Sequence, residues 1–544
     1  MEIDKIYRIQ INDGLYIEIT FDGERVLLVP DGGNIDNVED VVTISNTKLK
    51  AYIKVAGIPK CVINIQNGII NINDAIIPTA AIRNNSELDR SQEPKDIKKF
   101  GRNFATFLET DDKTEIQPMT DLHTHFMEVL SGEEFLGIVL EHIDYIGIDY
   151  EGNLCSTYPR KESNPRDLDN TGISRWYSKD EILNNNELYN FIVKQLSLPV
   201  DKQVEFGEIN KILNRRTALL DLIGYLTNQD LIDGIQIPER QLENAIRKII
   251  SDTKSEIYFD MLIASLNALK AQGVEYVEFS YSTHTTIEKM HKRLEGVDIK
   301  GIDFNFLLSE NRNAPGSSFR EYPINPKTGE PKRNKNSVEC NLRNMIKKGL
   351  VKGFDLMGLE NPITANDYIG DSLEYSSLYD KLEPVLKVLN SFNDDSLVCR
   401  LHAGEIEYET DAFDTKSNPE KTLEILDRIV ENNKLQVPPP TIRIGHGLHI
   451  KKNKNYLDLL KKYKVIVEIN ASSNFTLSNI KDMKDIPYRW YYENGIPMVL
   501  GTDGGGFYLT TPTDEVKIAE LFGGKDILSN VEDTEYSEMI RRGH

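Results

Sequence analysis

Nine histidines occur in 544 residues, and four of them stand in short motifs that could hold a metal or move a proton. His123 and His125 lie in DLHTH (121–125), where the i, i+2 spacing of a strand turns both imidazoles to one side. Two imidazoles so placed can chelate one ion. His402 and Glu405 lie in LHAGE (401–405), a strand-like run ending in a histidine with a carboxyl group just beyond. His446 sits between glycines in RIGHG (443–447), and Asp503 ends the apolar run of VLGTDGGGF (499–507). Each has a plain alternative: an incidental histidine pair, a helix-starting glutamate, a capped turn, an aspartate that closes a turn before glycine. Together, three histidines and an aspartate form a hard nitrogen and oxygen set suited to one Zn2+ per chain with a water position left open. His446 then remains to handle that water, with Glu405 as a nearby acid. His449 is placed outside this set, and His142, His284, His291 and His544 have no partner motif.

These residues need a frame that brings them to one point. Eight strand-like runs are legible, at 117–123, 274–280, 302–308, 353–358, 398–402, 441–446, 465–470 and 497–503, with amphipathic stretches such as 419–432 between them. Strand–helix alternation with eight strands predicts a (β/α)8 TIM-type barrel, whose chemistry gathers at the C-terminal ends of the strands. The candidate residues fall at those ends. The gap after the first strand is too long for one crossover, and its runs GEEFLGIVLEHI, KDEILNNNELYNFIVKQL and ALLDLIGYLTN predict a helical insertion over about 131–272.

Ahead of the barrel, residues 1–90 carry short β-branched and aromatic runs separated by Asn12-Asp13-Gly14, Asp22-Gly23, Asp31-Gly32-Gly33 and Asn67-Gly68, which predicts a small all-β accessory domain. A polar linker is expected over 91–116, and the barrel with its insertion over 117–544.

Composition narrows the function. A net charge of −22 and a pI near 5.0 argue against nucleic acid or an anionic membrane as a partner. Four scattered cysteines without a CxxC pair argue against a disulfide framework or a cysteine zinc finger and suit a reduced cytoplasmic setting. The first ten residues, MEIDKIYRIQ, show no basic-then-apolar pattern, and no run approaches the ~18 apolar residues of a membrane span.

The order HxH, HAGE, GHG, TD resembles the adenosine deaminase family of the metal-dependent amidohydrolases, over roughly 118–520 in separated motifs. GVEYVEFS (273–280) and GFDLMGLE (353–360) look like the family's second- and fourth-strand motifs. The resemblance implies that His123, His125, His402 and Asp503 are the metal ligands. It implies that Glu405 protonates purine N1, that His446 orients and deprotonates the attacking water, and that Gly358 offers a backbone contact to the base. The implied reaction is hydrolytic deamination of an adenine nucleoside or nucleotide to its inosine form, with release of ammonia.

The chain departs from the family at three places. Phe126-Met127-Glu128 stands where Leu-Asp-Gly is usual, NASSN (470–474) where Cys-Pro precedes Ser-Asn, and Gly504 where a second aspartate contacts the purine. The three glycines 504–506 are either a wide turn closing the barrel or a cradle for a substrate phosphate. Two other readings stay open: an amidohydrolase acting on a different ring or amide, and a metal-containing assembly protein without turnover. A homo-oligomer is expected, built through the N-terminal domain. By analogy, an extra domain on a deaminase suggests nucleotide-pool control in phage defence.

Overall fold

In the computed structural model, the described residues are seven strands between residues 7 and 73, and residues 120–543 apart from gaps, of which the longer are 155–172, 227–238, 361–376 and 407–416. The expected linker lies outside the described residues. The N-terminal strands are β1 (Tyr7–Asn12), β2 (Leu15–Phe21), β3 (Val26–Pro30), β4 (Val41–Ser45), β5 (Lys48–Val55), β6 (Ile58–Gln66) and β7 (Ile69–Asn73). They form two antiparallel sheets, β1-β2-β3 and β4-β5-β6-β7, each built from neighbours in sequence, as hairpin turns dictate.

The larger frame is a sheet of eight parallel strands. β8 (Thr120–His125) is followed, after a two-stranded ribbon of β9 (Tyr145–Asp149) and β10 (Ile173–Ser178), by β11 (Tyr276–Tyr281), β12 (Asp303–Asn311), β13 (Gly353–Met357), β14 (Val398–Ala403), β15 (Thr441–His446), β16 (Ile466–Ile469) and β17 (Met498–Leu500). The order β17-β16-β15-β14-β13-β12-β11-β8 is a barrel in chain order. Its seam closes just beyond β17, where Asp503 N–H donates to the His123 carbonyl at 2.8 Å and His125 N–H donates to the Asp503 carbonyl at 3.3 Å. The expected (β/α)8 barrel is the fold observed.

The stretch between β8 and β11 is helical, with Gly132–His142, Asn186–Gln195, Phe206–Leu226 and Glu239–Lys270 as its longer helices. It also contains the β9–β10 ribbon, which the sequence reading did not anticipate. Among the described residues, no helix is long and apolar enough to cross a membrane.

Strands covered on both faces read as continuous apolar runs rather than alternating ones, and β11, β14 and β15 are buried along their whole length. Their inward positions nonetheless hold charge. Glu278, Arg400, Arg443 and Glu468 are fully buried and interlock beneath the histidines with Glu538 and Arg542 of the C-terminal helix Lys525–Arg541 and its cap. Arg443 donates to Glu278 and to Glu538, both at 2.7 Å, and Arg542 donates to Glu538 at 2.7 Å. Burying such charges is tolerable only because each meets its opposite. Around the barrel one continuous apolar core packs helices against strands.

Candidate active site

Every residue singled out in the sequence lies at or just past a strand end. His123 and His125 end β8, His402 is in β14, His446 ends β15, Glu405 follows β14, Gly358 follows β13 and Asp503 follows β17. The four imidazoles stand close: ring centroids are 4.8 Å apart for His123 and His402, 5.3 Å for His125 and His402, and 5.0 Å for His402 and His446. Asp503 approaches both His123 Nε2 at 3.3 Å and His125 Nε2 at 3.2 Å.

The backbone is bent to achieve this. His446 and Asp503 adopt φ of 71° and 62°, a left-handed conformation unfavourable for residues with a Cβ. Glycines around them make room. A Cβ on Gly445 would lie 2.8 Å from His123 Cε1, and one on Gly501 would lie 2.5 Å from His123 Cβ. The glycines of RIGHG therefore serve close packing: the first lies under His123 and the second, Gly447, against Val467 and Tyr491.

Several partners were not found from the sequence. Asp355 of β13 faces His402 Nε2 at 3.2 Å. Glu468 of β16 meets His123 Nδ1 at 2.7 Å and so directs Nε2 inward. Asn474, from the NASSN stretch, offers its side-chain oxygen to His446 Nδ1 at 3.1 Å. That contact assigns the proton to Nδ1 and leaves Nε2 as an acceptor. Glu360, from GFDLMGLE, accepts the backbone N–H groups of Gly404 at 3.1 Å and Glu405 at 2.8 Å, fixing the turn that carries Glu405. Inward-facing position was the only available signal for Asp355 and Glu468; Asn474 and Glu360 gave none beyond lying in motif-like stretches.

Electrostatics sorts the roles. Burial drives His402 down to about 4 and His446 well below the usual imidazole range, so both are neutral and able to accept a proton or a metal. Asp503 is held well below the ordinary carboxylate range, because hydrogen bonds from His123 and His125 outweigh its burial. Glu405 moves the other way: burial and the nearby carboxylates of Asp503 and Glu360 push it well above its usual value. Two carboxyl groups in one site are thus driven in opposite directions, Asp503 towards the ionised form and Glu405 towards the protonated one.

The arrangement fits a divalent metal. His123, His125 and Asp503 form one group with ligand atoms within 4.8 Å of one another; His125, Asp355 and His402 form a second; His123, His402 and His446 a third. His446 Nε2 is enclosed yet makes no hydrogen bond, and His402 Nε2 and Asp355 Oδ1, 3.2 Å apart, have no other partner, as befits polar atoms that could turn to a bound ion. The site opens into a cavity of about 320 Å³ lined by Glu128, Gly358, Glu405, His446, Asp503 and Tyr508, among others. Gly504 packs behind Glu128: a Cβ there would lie 2.4 Å from Glu128 Cβ.

A parallel barrel with histidines and aspartates converging at its strand ends is an arrangement suited to metal-assisted hydrolysis. The family profile for adenosine deaminase matches residues 439–526, which carry His446 and Asp503. Adenosine deaminase of Plasmodium gallinaceum is 37% identical over 73 residues, 13% of this chain and 20% of that enzyme. The chain therefore spans about a fifth of that relative. Adenosine deaminase of Shewanella woodyi is 23% identical over 334 residues, 61% of this chain and 82% of that enzyme. Among solved structures, the N6-methyl-AMP deaminase of Arabidopsis thaliana overlaps 78% of this chain and 95% of its own, with 16% identity and a TM-score of 0.43. The chain is thus similar to adenosine deaminases, in its profile match over residues 439–526 and, more distantly, over 334 residues.

Proposed function

We propose that this chain is a deaminase that uses one Zn2+, held by His123, His125, His402 and Asp503, to hydrolyse an adenine nucleoside or nucleotide to its inosine form. The observation that carries the reading is the pairing, in one cavity, of the buried Glu405 and His446, whose Nε2 lies 3.7 Å from Glu405 Oε2. When bound, the metal supplies Lewis acidity that makes water nucleophilic at neutral pH.

The residues then divide the proton work. Water adds to C6 of the purine, and His446 Nε2 takes its proton. Glu405 gives its proton to ring N1, which offsets the electron density pushed into the ring. The C6–N bond breaks once His446 has passed its proton to the amine, ammonia leaves, and the C6 hydroxyl proton returns to Glu405, giving the keto product. Asn474 keeps His446 in the accepting tautomer, and Glu360 keeps Glu405 pointed at the ring. Gly358, at φ 100° and on the cavity wall, suits a close backbone approach to the base.

The test is ammonia release from adenosine, deoxyadenosine, AMP, dAMP and ATP by the Zn2+-loaded chain, with His402→Ala as control. Turnover of at least one adenine compound, abolished in the control, is expected; no release from any of them overturns the reading. Residues 1–90 are proposed as a separate accessory unit that drives self-association, so a chain beginning after residue 95 is expected to sediment as a smaller species.

A further inference from the structure

The deaminase reading leaves one enclosed polar group of the cavity without a task. Ser309 lies in β12 and lines the cavity together with Glu405 and His446. It is 2% exposed, and its hydroxyl makes no hydrogen bond. Among the described lining residues, only His402 and His446 also carry an enclosed side-chain atom without one, and both already have work in the reading. A buried hydroxyl left unpaired costs about 1–3 kcal/mol, so an apolar side chain would serve a purely structural wall better.

Its polar neighbours on that wall are engaged. Ser280 donates to Asp355 at 2.5 Å and accepts from Arg400 at 2.7 Å. Asn311 accepts the Asn313 N–H at 2.8 Å and packs against Gly358, where a Cβ would stand 2.6 Å from the Asn311 Oδ1. Ser282 and Thr283 are exposed and open to water. Ser309 pairs in register with Asp355 of β13, and paired residues of a sheet turn to one face. Since Asp355 faces His402 at 3.2 Å, Ser309 is turned inward as well. One bond rotation carries a serine hydroxyl through three staggered positions, so its oxygen can meet a substrate that fills the cavity.

The barrel order sets which face of a substrate this hydroxyl meets. Closed into a ring, the strands place β12 opposite β16, the neighbour of the β15 strand that ends in His446. Water handled by His446 therefore reaches the purine face turned towards β15 and β16. As C6 becomes tetrahedral, its amine bends away from the entering oxygen, to the face turned towards β12.

We infer that Ser309 is a further catalytic residue of this site: its hydroxyl accepts an N–H of the departing amine as C6 becomes tetrahedral. An amine so held cannot spin about its C6–N bond, and its lone pair stays free for the proton that His446 passes on. The contact forms only once the amine leaves the ring plane, so it favours the transition state over the bound substrate. The inference rests on the deaminase reading and concerns the leaving group within it.

The experiment compares Ser309→Ala with wild type, both loaded with Zn2+, on adenosine, AMP and the 6-chloropurine counterpart of each. Chloride leaves without an N–H to donate, so the chloro compounds bypass the contact while using the same water, Glu405 and His446. Zn2+ content and thermal melting of both proteins are measured alongside. On the adenine compounds, Ser309→Ala is expected to lose about threefold to tenfold in kcat with KM nearly unchanged, the range of one hydrogen bond between neutral groups. The ratio of ammonia release to chloride release should fall by the same factor. That ratio is taken on one sample, so it does not depend on how much of the variant folds. An unchanged ratio, or an unchanged kcat on the adenine compounds, overturns the inference. A wild type that releases ammonia from no adenine compound instead sinks the deaminase reading, and the role of Ser309 with it.

Discussion

Replacing Glu468 with glutamine separates two jobs that one carboxylate performs. Glu468 meets His123 Nδ1 at 2.7 Å, Arg400 Nε at 2.8 Å and Arg443 Nη1 at 3.2 Å. These contacts hold it well below the ordinary carboxylate range despite complete burial, Arg400 and His123 being the leading opposing causes. Glutamine keeps one acceptor, but its amide nitrogen cannot accept from His123, Arg400 or Arg443. Losing the partner that orients a metal-binding histidine weakens metal affinity about tenfold to a hundredfold, or roughly 1.4–2.7 kcal/mol. Leaving two buried arginines short of a counter-charge costs about 3–5 kcal/mol of folding stability. The first effect is read by competing the folded protein against a chelator of known Zn2+ affinity, the second by urea denaturation of the metal-free protein. Zn2+ affinity within about threefold of wild type, alongside a clear loss of stability, would refute the idea that Glu468 orients His123 and leave it only a member of the ionic layer.

Two further outcomes are expected. Gly504→Ala should destabilise the barrel by roughly 2–6 kcal/mol, adding overpacking against Glu128 to the strain of φ 150°. Glu128→Gly in that background should restore only the packing part, about 1–3 kcal/mol, read by urea denaturation through the fluorescence of Trp490, stacked on Tyr456; no coupling between the two positions would contradict the placement. Glu405 is raised by burial and by the Asp503 and Glu360 carboxylates. Its stabilising contribution is therefore full below the ordinary value of 4.5 and is lost as pH rises through the raised value. The same ascent removes the proton it donates, so ammonia release should fall on the alkaline side, and Glu405→Gln should flatten the stability slope of the metal-free protein and abolish release.

The barrel was legible because eight apolar runs recur with helical stretches between them, and the convergence of the candidate residues because strand ends of this fold meet at one face. His123, His125, His402, His446, Glu405 and Asp503 could each be placed by counting along a strand. Their supports could not. Arg400 and Arg443 look in sequence like charges bound for the surface, and only the closed barrel shows that both face Glu468. Asn474 and Glu360 act through side chains that reach across from other elements, a relation that spacing does not encode. The opposition of Glu128 and Gly504 is likewise invisible until the seam between β8 and the end of β17 brings them together. The ribbon of β9 and β10 was missed because the surrounding runs are strongly helical.

That seam has a consequence for how the protein is made. The two ends of the barrel are joined by backbone hydrogen bonds of His123, His125 and Asp503 themselves. The strand bearing His123 and His125 emerges early in synthesis, and the residue that stitches it shut emerges only after the other strands. No centre of this shape can exist on a nascent chain whose last strand is still inside the ribosome. The long closure also makes this pairing one of the most entropically demanding in the molecule. A metal held across it would act as a rivet on the last joint to form, and amide exchange at residues 123, 125 and 503 would report whether the rivet is in place.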